Sequence, residues 1–261
     1  MKVAVISPCN TPCGKSSLVY LLAGIYSRSQ GKKASIYKTS YTEDHEMVTL
    51  SSLQVGTKSP TVFKALLNTG QITSEELHDY ALRVGSEEVS LFDFYASKID
   101  DDIRVEMTDK AINIDNNPLK IFEVNDIGSE LTKIYLDQAD FIFVMTDASR
   151  TSLKKTKAYL NDMERANRFK VINVVGKYNP NEVSEKMLAN LLGVKQRELV
   201  VFPYNTLVAK EAMTGTLDSI VKYIVKGHYE LVNLRPKMLE MLQVSFDTPT
   251  KKVIKPMKEW V

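Results

Sequence analysis

The sequence predicts an α/β fold: a doubly wound, mostly parallel sheet with helices on both faces. Three observations carry this. Short apolar runs alternate with amphipathic stretches along most of the chain, the pattern of repeated strand–helix–strand units. One run, Phe141-Ile-Phe-Val-Met-Thr146, is apolar throughout, as a strand covered by helices on both sides requires. No stretch of flexible composition divides the chain, so residues 1–244 read as a single domain and residues 245–261 as a C-terminal tail.

In order, Val3 to Ile6 is a short apolar run that ends in turn residues, hence a buried strand. A helix follows from Lys15, with Leu18, Leu21, Leu22 and Ile25 on one face and Gly31 as its stop. Ala34 to Tyr37 is the next strand. Residues 59–83 read as helical: Val62, Leu66 and Leu67 first, then a capping box from Thr73 to Glu76 that opens a second helix. Residues 85–118 are polar and irregular in pattern and receive no assignment. Ile121 to Val124 and Phe141 to Thr146 are strands, 152–166 a helix and Val171 to Val175 a strand. Asn181 opens a helix that Gly193 ends. Leu199 to Phe202 is the last strand, before helical patterns at 207–213 and 217–232.

The composition is that of an ordinary globular protein, with 44% apolar and 25% charged residues in 261. A net charge of +2 gives no global attraction to nucleic acid. No apolar run approaches the roughly 18 residues of a membrane span. Met1 to Ile6 is expected to be a strand rather than a signal peptide, because Pro8 interrupts it so soon. The only cysteines are Cys9 and Cys13. A disulfide framework is not expected, which fits a cytoplasmic location.

The chemistry concentrates in Ser7-Pro-Cys-Asn-Thr-Pro-Cys-Gly-Lys-Ser-Ser17. A strand, a tight turn and a helix make an anion site, because the helix N-terminus presents free N–H groups and roughly +0.5 charge. In a phosphate-binding loop the lysine sits on the β and γ phosphates and the following hydroxyl on Mg²⁺. Thr11, Cys13, Gly14, Lys15, Ser16 and Ser17 are therefore the candidate residues for binding ATP or ADP, with Ser16 also a metal ligand. A lysine in the first turn of a helix is otherwise at odds with the helix dipole. Two features depart from the motif. Cys9 stands where glycine is usual, and a non-glycine residue at positive φ costs roughly 1–2 kcal/mol. Pro12 has no N–H to offer a phosphate.

The layout resembles the ParA/MinD family of P-loop ATPases over nearly the whole chain. Asn10 to Ser17 occupies the family's loop, and Lys38-Thr-Ser-Tyr41 the segment after its second strand. Ile121 to Gly128 is similar to the family's strand that ends in an acidic residue and glycine. Ala139-Asp140 through Thr146, with the helix after it, resembles its next unit. Val171 to Pro180, Phe202-Pro-Tyr-Asn205 and Ala209 to Gly215 resemble the segments around the adenine. The resemblance implies ATP or ADP with Mg²⁺, a nucleotide-dependent homodimer, a protein partner or cargo, and a role in partition, positioning or assembly. It also implies departures. The family's signature lysine falls on Asn10, the aspartate that positions the attacking water falls on Lys38, and an adenine-contacting asparagine falls on Gly176. Charge supplied in trans is worth about 10³ to 10⁵ in rate in other NTPases, so at most slow hydrolysis is expected, as in the degenerate TadZ-like members.

Several assignments have two readings on the sequence alone. Asp126 is either a Mg²⁺ ligand through water or the turn-former before Gly128. Asn205 is either an adenine contact or a turn-former. Cys9 and Cys13 either fill a tight loop or form a redox pair; their spacing lacks the flanking ligands of a zinc site. His45, among Glu43, Asp44 and Glu46, belongs to a solvated loop or to a metal site. The tail mixes lysines with apolar residues: it either docks a partner or stays unfolded, which Pro256 favours by interrupting any helix there, or it contacts a membrane. Two other functions compete with the ParA/MinD-like switch. One is an ATP-dependent ligase of dethiobiotin-synthetase type, which Thr11 and Lys38 favour. The other is an adaptor that binds no nucleotide.

Overall fold

The computed structural model describes residues 1–9, 12–38, 53–54, 60–84, 89–92, 101–166, 170–214, 217–227 and 234–242. Its nine-stranded sheet has the order β3-β4-β5-β2-β6-β1-β7-β8-β9. The strands are β1 (Lys2–Ile6), β2 (Ala34–Lys38), β3 (Leu53–Gln54), β4 (Leu82–Val84), β5 (Val89–Phe92), β6 (Leu119–Val124), β7 (Phe141–Thr146), β8 (Lys170–Tyr178) and β9 (Leu199–Pro203). From β5 to β9 every neighbouring pair is parallel; only β3 and β4 run antiparallel at the edge.

Alternation along the strands explains the two faces. Val3, Val5, Ile36, Ile121 and Phe143 point to one side and pack under α1 (Lys15–Gln30), α9 (Leu217–Lys226) and α10 (Leu234–Met241). Ala4, Ile6, Tyr37, Phe122 and Val144 point to the other side. They pack against α2 (Pro60–Thr69), α4 (Asp101–Ile114), α5 (Glu130–Gln138) and α6 (Arg150–Ala166). Residues such as Phe143 and Phe122 are fully buried, and each contributes about 1.5–3 kcal/mol by leaving water. A third cluster joins α6 to α7 (Glu185–Leu192) over β8 and β9. Across the first face, the Tyr20 hydroxyl of α1 donates to Asp218 of α9.

The far edge is guarded. Lys237 of α10 donates from its ammonium to the Val201 carbonyl of the edge strand β9. No helix among the described residues is long and apolar enough to cross a membrane.

The structure differs from the sequence reading in several places. Residues 59–83 are not continuously helical. The capping box forms as expected, with the Thr73 hydroxyl accepting from Glu76 N and the Glu76 carboxylate from Thr73 N, but α3 (Ser74–Leu77) has only four residues. A short 3₁₀ turn follows, and then strand β4. The unassigned stretch 85–118 contains β5 and α4. The helix expected from Asn181 starts at Glu185, with Ser184 as its cap, and α5 and α10 carry no counterpart in the sequence reading. His45 and the tail lie outside the described residues.

Candidate functional site

The loop after β1 leads into α1 above the C-terminal ends of the central strands, where chain connections diverge to the two faces. In open α/β sheets that crevice is where ligands bind. Gly14 caps α1 with φ 87°, a left-handed conformation that glycine adopts without steric cost. Gly14, the N-cap residue, makes no side-chain cap bond of its own. Thr11 lies outside the described residues, as does Asn10.

The first turn of α1 reaches the end of β6. The Lys15 ammonium donates to the Val124 carbonyl at 2.6 Å and also to the Asn125 side-chain oxygen. The buried Ser16 hydroxyl donates to Glu123 at 2.5 Å. Glu123 is fully buried. The carboxylate that meets Ser16 is therefore three residues before Asp126. Asp126 itself is exposed in the turn, where its carboxylate accepts from Gly128 N at 3.0 Å and its carbonyl from the Ser129 hydroxyl at 3.1 Å. A signal for Glu123 existed in the sequence: a glutamate inside the apolar run Ile121 to Val124 must be buried, and buried carboxylates have partners.

A pocket of about 110 Å³ opens on the other side of α1. Cys13, Gly14, Ser17, Leu18 and Leu21 form one wall, and Phe202, Tyr204 and Asn205 another, with α8 (Thr206–Met213) behind. Asn205 both lines this pocket and caps α8, its side-chain oxygen accepting from Val208 N at 3.0 Å. The floor is Gly176. A Cβ there would lie 2.2 Å from the Cys13 carbonyl oxygen and 2.7 Å from the Met145 methyl, so only glycine lets the loop sit this low. Beside it, Lys177 adopts φ 53°, where the β8–β9 register breaks.

The two thiols are free, buried and turned to different partners. Cys9 donates to the Ser152 carbonyl at 3.3 Å and approaches Thr156, which ties the loop to α6. Cys13 donates to Ser7 at 3.5 Å, and burial pushes its thiol above the ordinary range, so it is a poor nucleophile. Among the described residues no group of three His, Cys, Asp or Glu side chains is placed to hold a metal.

No protein-family model and no curated protein matches the sequence. Solved structures do match in three dimensions. A ParA family ATPase from Chlorobium tepidum aligns with a TM-score of 0.69 at 12% identity, over 90% of this chain and 98% of that one. The chain has the ParA/MinD fold. MinD in the MinC:MinD cell division complex of Aquifex aeolicus aligns at 0.64 and 12% identity, over 97% of this chain and 99% of that one. The septum site-determining protein MinD complexed with Mg-ADP from Pyrococcus horikoshii aligns at 0.60 and 12% identity, over 92% and 95%. In the ParA/MinD fold as this chain builds it, Lys15, Ser16 and Glu123 gather on one side of the first turn of α1 and the pocket opens on the other.

Proposed function

We propose that this chain binds ATP or ADP with Mg²⁺ at the β1–α1 loop and acts as a nucleotide-dependent switch with slow turnover. One observation carries the reading: Lys15 and Ser16 stand in the first turn of α1, with a buried carboxylate on Ser16 and an apolar pocket alongside. In this reading the pocket takes the base, the turn's N–H groups and Lys15 take the phosphates, and Ser16 with Glu123 holds the metal. That donor set suits Mg²⁺, which takes one or two protein oxygens plus phosphate and water. The metal would neutralise charge on the phosphate oxygens. A similar fold is known in complex with Mg-ADP, which supports the assignment.

Slow turnover follows from the resemblance, because Asn10 and Lys38 stand where the catalytic lysine and aspartate are expected. Nucleotide then serves mainly as a structural ligand. At 100 times its Kd it favours the bound state by about 2.7 kcal/mol, enough to move a balanced equilibrium. The state favoured is a homodimer joined across the nucleotide faces, which presents a surface to a protein partner or cargo. The similarity to MinD in its complex with MinC supports a protein partner.

Titration of ATP and ADP with Mg²⁺, with phosphate release followed on the same sample, tests the reading. Binding with turnover well below the roughly 1–10³ s⁻¹ of ordinary enzymes is expected. Failure to bind either nucleotide overturns it. Light scattering with and without ATP tests the switch; an unchanged mass at saturation removes it.

A further inference from the structure

We infer that Asn125 is a latch that holds the Lys15 ammonium off the phosphates until nucleotide releases it; the inference rests on the nucleotide reading above. Lys15 stands in the first turn of α1, but its ammonium is turned to the sheet. It donates to the Val124 carbonyl at 2.6 Å and to the Asn125 side-chain oxygen. An ammonium has three N–H donors and no acceptor, so these bonds engage most of its capacity. A lysine that serves the β and γ phosphates must aim its donors at phosphate oxygens. A donor given to one set of acceptors is withdrawn from the other. Binding therefore exchanges neutral oxygen acceptors for anionic ones, which hold an ammonium more strongly.

Asn125 is the part that lets go. The Val124 carbonyl belongs to a fully buried residue at the end of β6, in register with Ile6 of β1, and is fixed with the sheet. Asn125 is the first residue beyond the strand and is half-buried. Its amide can exchange the ammonium for water at the small net cost of one hydrogen bond. The backbone beyond it does not follow. Asp126 accepts from Gly128 N, the Asp126 carbonyl accepts from the hydroxyls of Ser129 and Thr132, and Ser129 caps α5. Release is thus a side-chain rotation between two braced segments. It sets the affinity of the site. A ligand that needs the loose lysine binds with its intrinsic affinity reduced by the fraction of molecules in which the latch is open. Asn125 is therefore a positioning residue that acts on the ligand through Lys15. The empty site stands below its full affinity for a polyphosphate.

The test is calorimetric titration of the full chain and of Asn125→Ala and Asn125→Asp with a non-hydrolysable ATP analogue, ADP and inorganic triphosphate, all with Mg²⁺. In Asn125→Ala the Val124 carbonyl remains, so all three ligands should bind about 3- to 10-fold more tightly, the net worth of one hydrogen bond. Asn125→Asp puts a carboxylate on the ammonium and should weaken all three by about 10-fold or more. Nuclear magnetic resonance gives a readout that a merely structural residue would not move. The Asn125 side-chain amide signals should shift when triphosphate is added to the wild type, and in the same direction without ligand in Lys15→Met. Unchanged or weaker binding in Asn125→Ala, or undiminished binding in Asn125→Asp, overturns the inference while leaving the nucleotide reading intact. Asn125 signals that stay in place while the wild type binds also overturn it, and that measurement stands even where a variant fails to fold. If the wild type binds none of the three ligands, the nucleotide reading falls, and the inference with it.

Discussion

The carbonyl oxygen of Cys13 rests on the α-carbon side of Gly176, so close that a single methyl at position 176 would lie 2.2 Å from it. The backbone of the loop before α1 is thus seated directly on strand β8. Gly176→Ala should lift the loop, cost about 1–3 kcal/mol as an overpacked site does, and weaken nucleotide binding at least 10-fold. Gly128→Ala is the control: its Cβ would meet only the Asp126 carboxylate at 3.7 Å, and it should stay within about 0.5 kcal/mol. Thermal melts with and without ATP compare the two. Equal behaviour would mean that the loop is not held by this contact.

Lys15→Ala should abolish stabilisation by ATP or ADP in a thermal shift assay. In the free protein Lys15 donates to Val124 and Asn125 at the strand end, so the variant also loses those two bonds. An unaltered nucleotide shift would move the site away from α1.

Glu123→Gln keeps an oxygen for the Ser16 hydroxyl and removes the negative charge. The Mg²⁺ dependence of ATP binding should fall by about 10- to 100-fold, as loss of an outer-shell partner or a carboxylate ligand does. Binding without Mg²⁺ should stay the same or rise. Calorimetry with Mg²⁺ and with EDTA separates the two, and an unchanged Mg²⁺ dependence would exclude Glu123 from the metal site.

Asn205 has two duties that two variants divide. Asn205→Ala removes the cap of α8, at a cost of about 1 kcal/mol. Asn205→Asp keeps the cap. If the residue acts only through the cap, ATP affinity survives in Asn205→Asp; a fall of 10-fold or more there would show that the amide reads the base.

Far from the loop, Asp115 lies between His78 Nε2 at 3.3 Å and the Tyr37 hydroxyl at 2.8 Å. Burial alone would raise its carboxyl, but hydrogen bonds from His78, Ser35, Asn117 N and Tyr37 outweigh it and hold the group below the ordinary carboxylate range. A depressed folded value means that the stabilisation is complete above about pH 4 and is lost as pH falls through the folded value. Asp115→Asn should therefore lower stability by about 2–3 kcal/mol at pH 7 and flatten the acid limb of a melting-temperature profile. A profile that keeps its full acid slope in the variant would remove Asp115 as the cause.

Where side chains alternate cleanly, the fold was legible. Val3 to Ile6, Leu18 to Ile25 and Phe141 to Thr146 stand where their patterns put them. Helix α4 escaped because its buried face includes Arg104 and Thr108 beside Met107, Ala111 and Ile112, which breaks the apolar stripe. Strand β4 was taken for helix because Leu77, Ala81 and Val84 are buried at spacings of four and three. The site was legible where it is local: Gly14, Lys15 and Ser16 are adjacent in sequence. Its long-range parts were not. That Glu123 faces Ser16, and that Gly176 makes room for Cys13, depends on the order of β6, β1, β7 and β8 in the sheet, which no short stretch of sequence encodes.

The bond from Lys237 to the Val201 carbonyl bears on how copies of this chain can meet. Strand β9 ends the sheet, and an uncovered outer strand is a template for a foreign strand to zip onto. A newcomer would need the Val201 carbonyl for its own ladder and would first have to evict a lysine. Burial lowers the basicity of that lysine, and Glu185 and Glu240 pull it back up. Evicting it would cost that ammonium its bond to the Val201 carbonyl. Growth by strand exchange, the route to fibres and tangled aggregates, is therefore disfavoured along this rim.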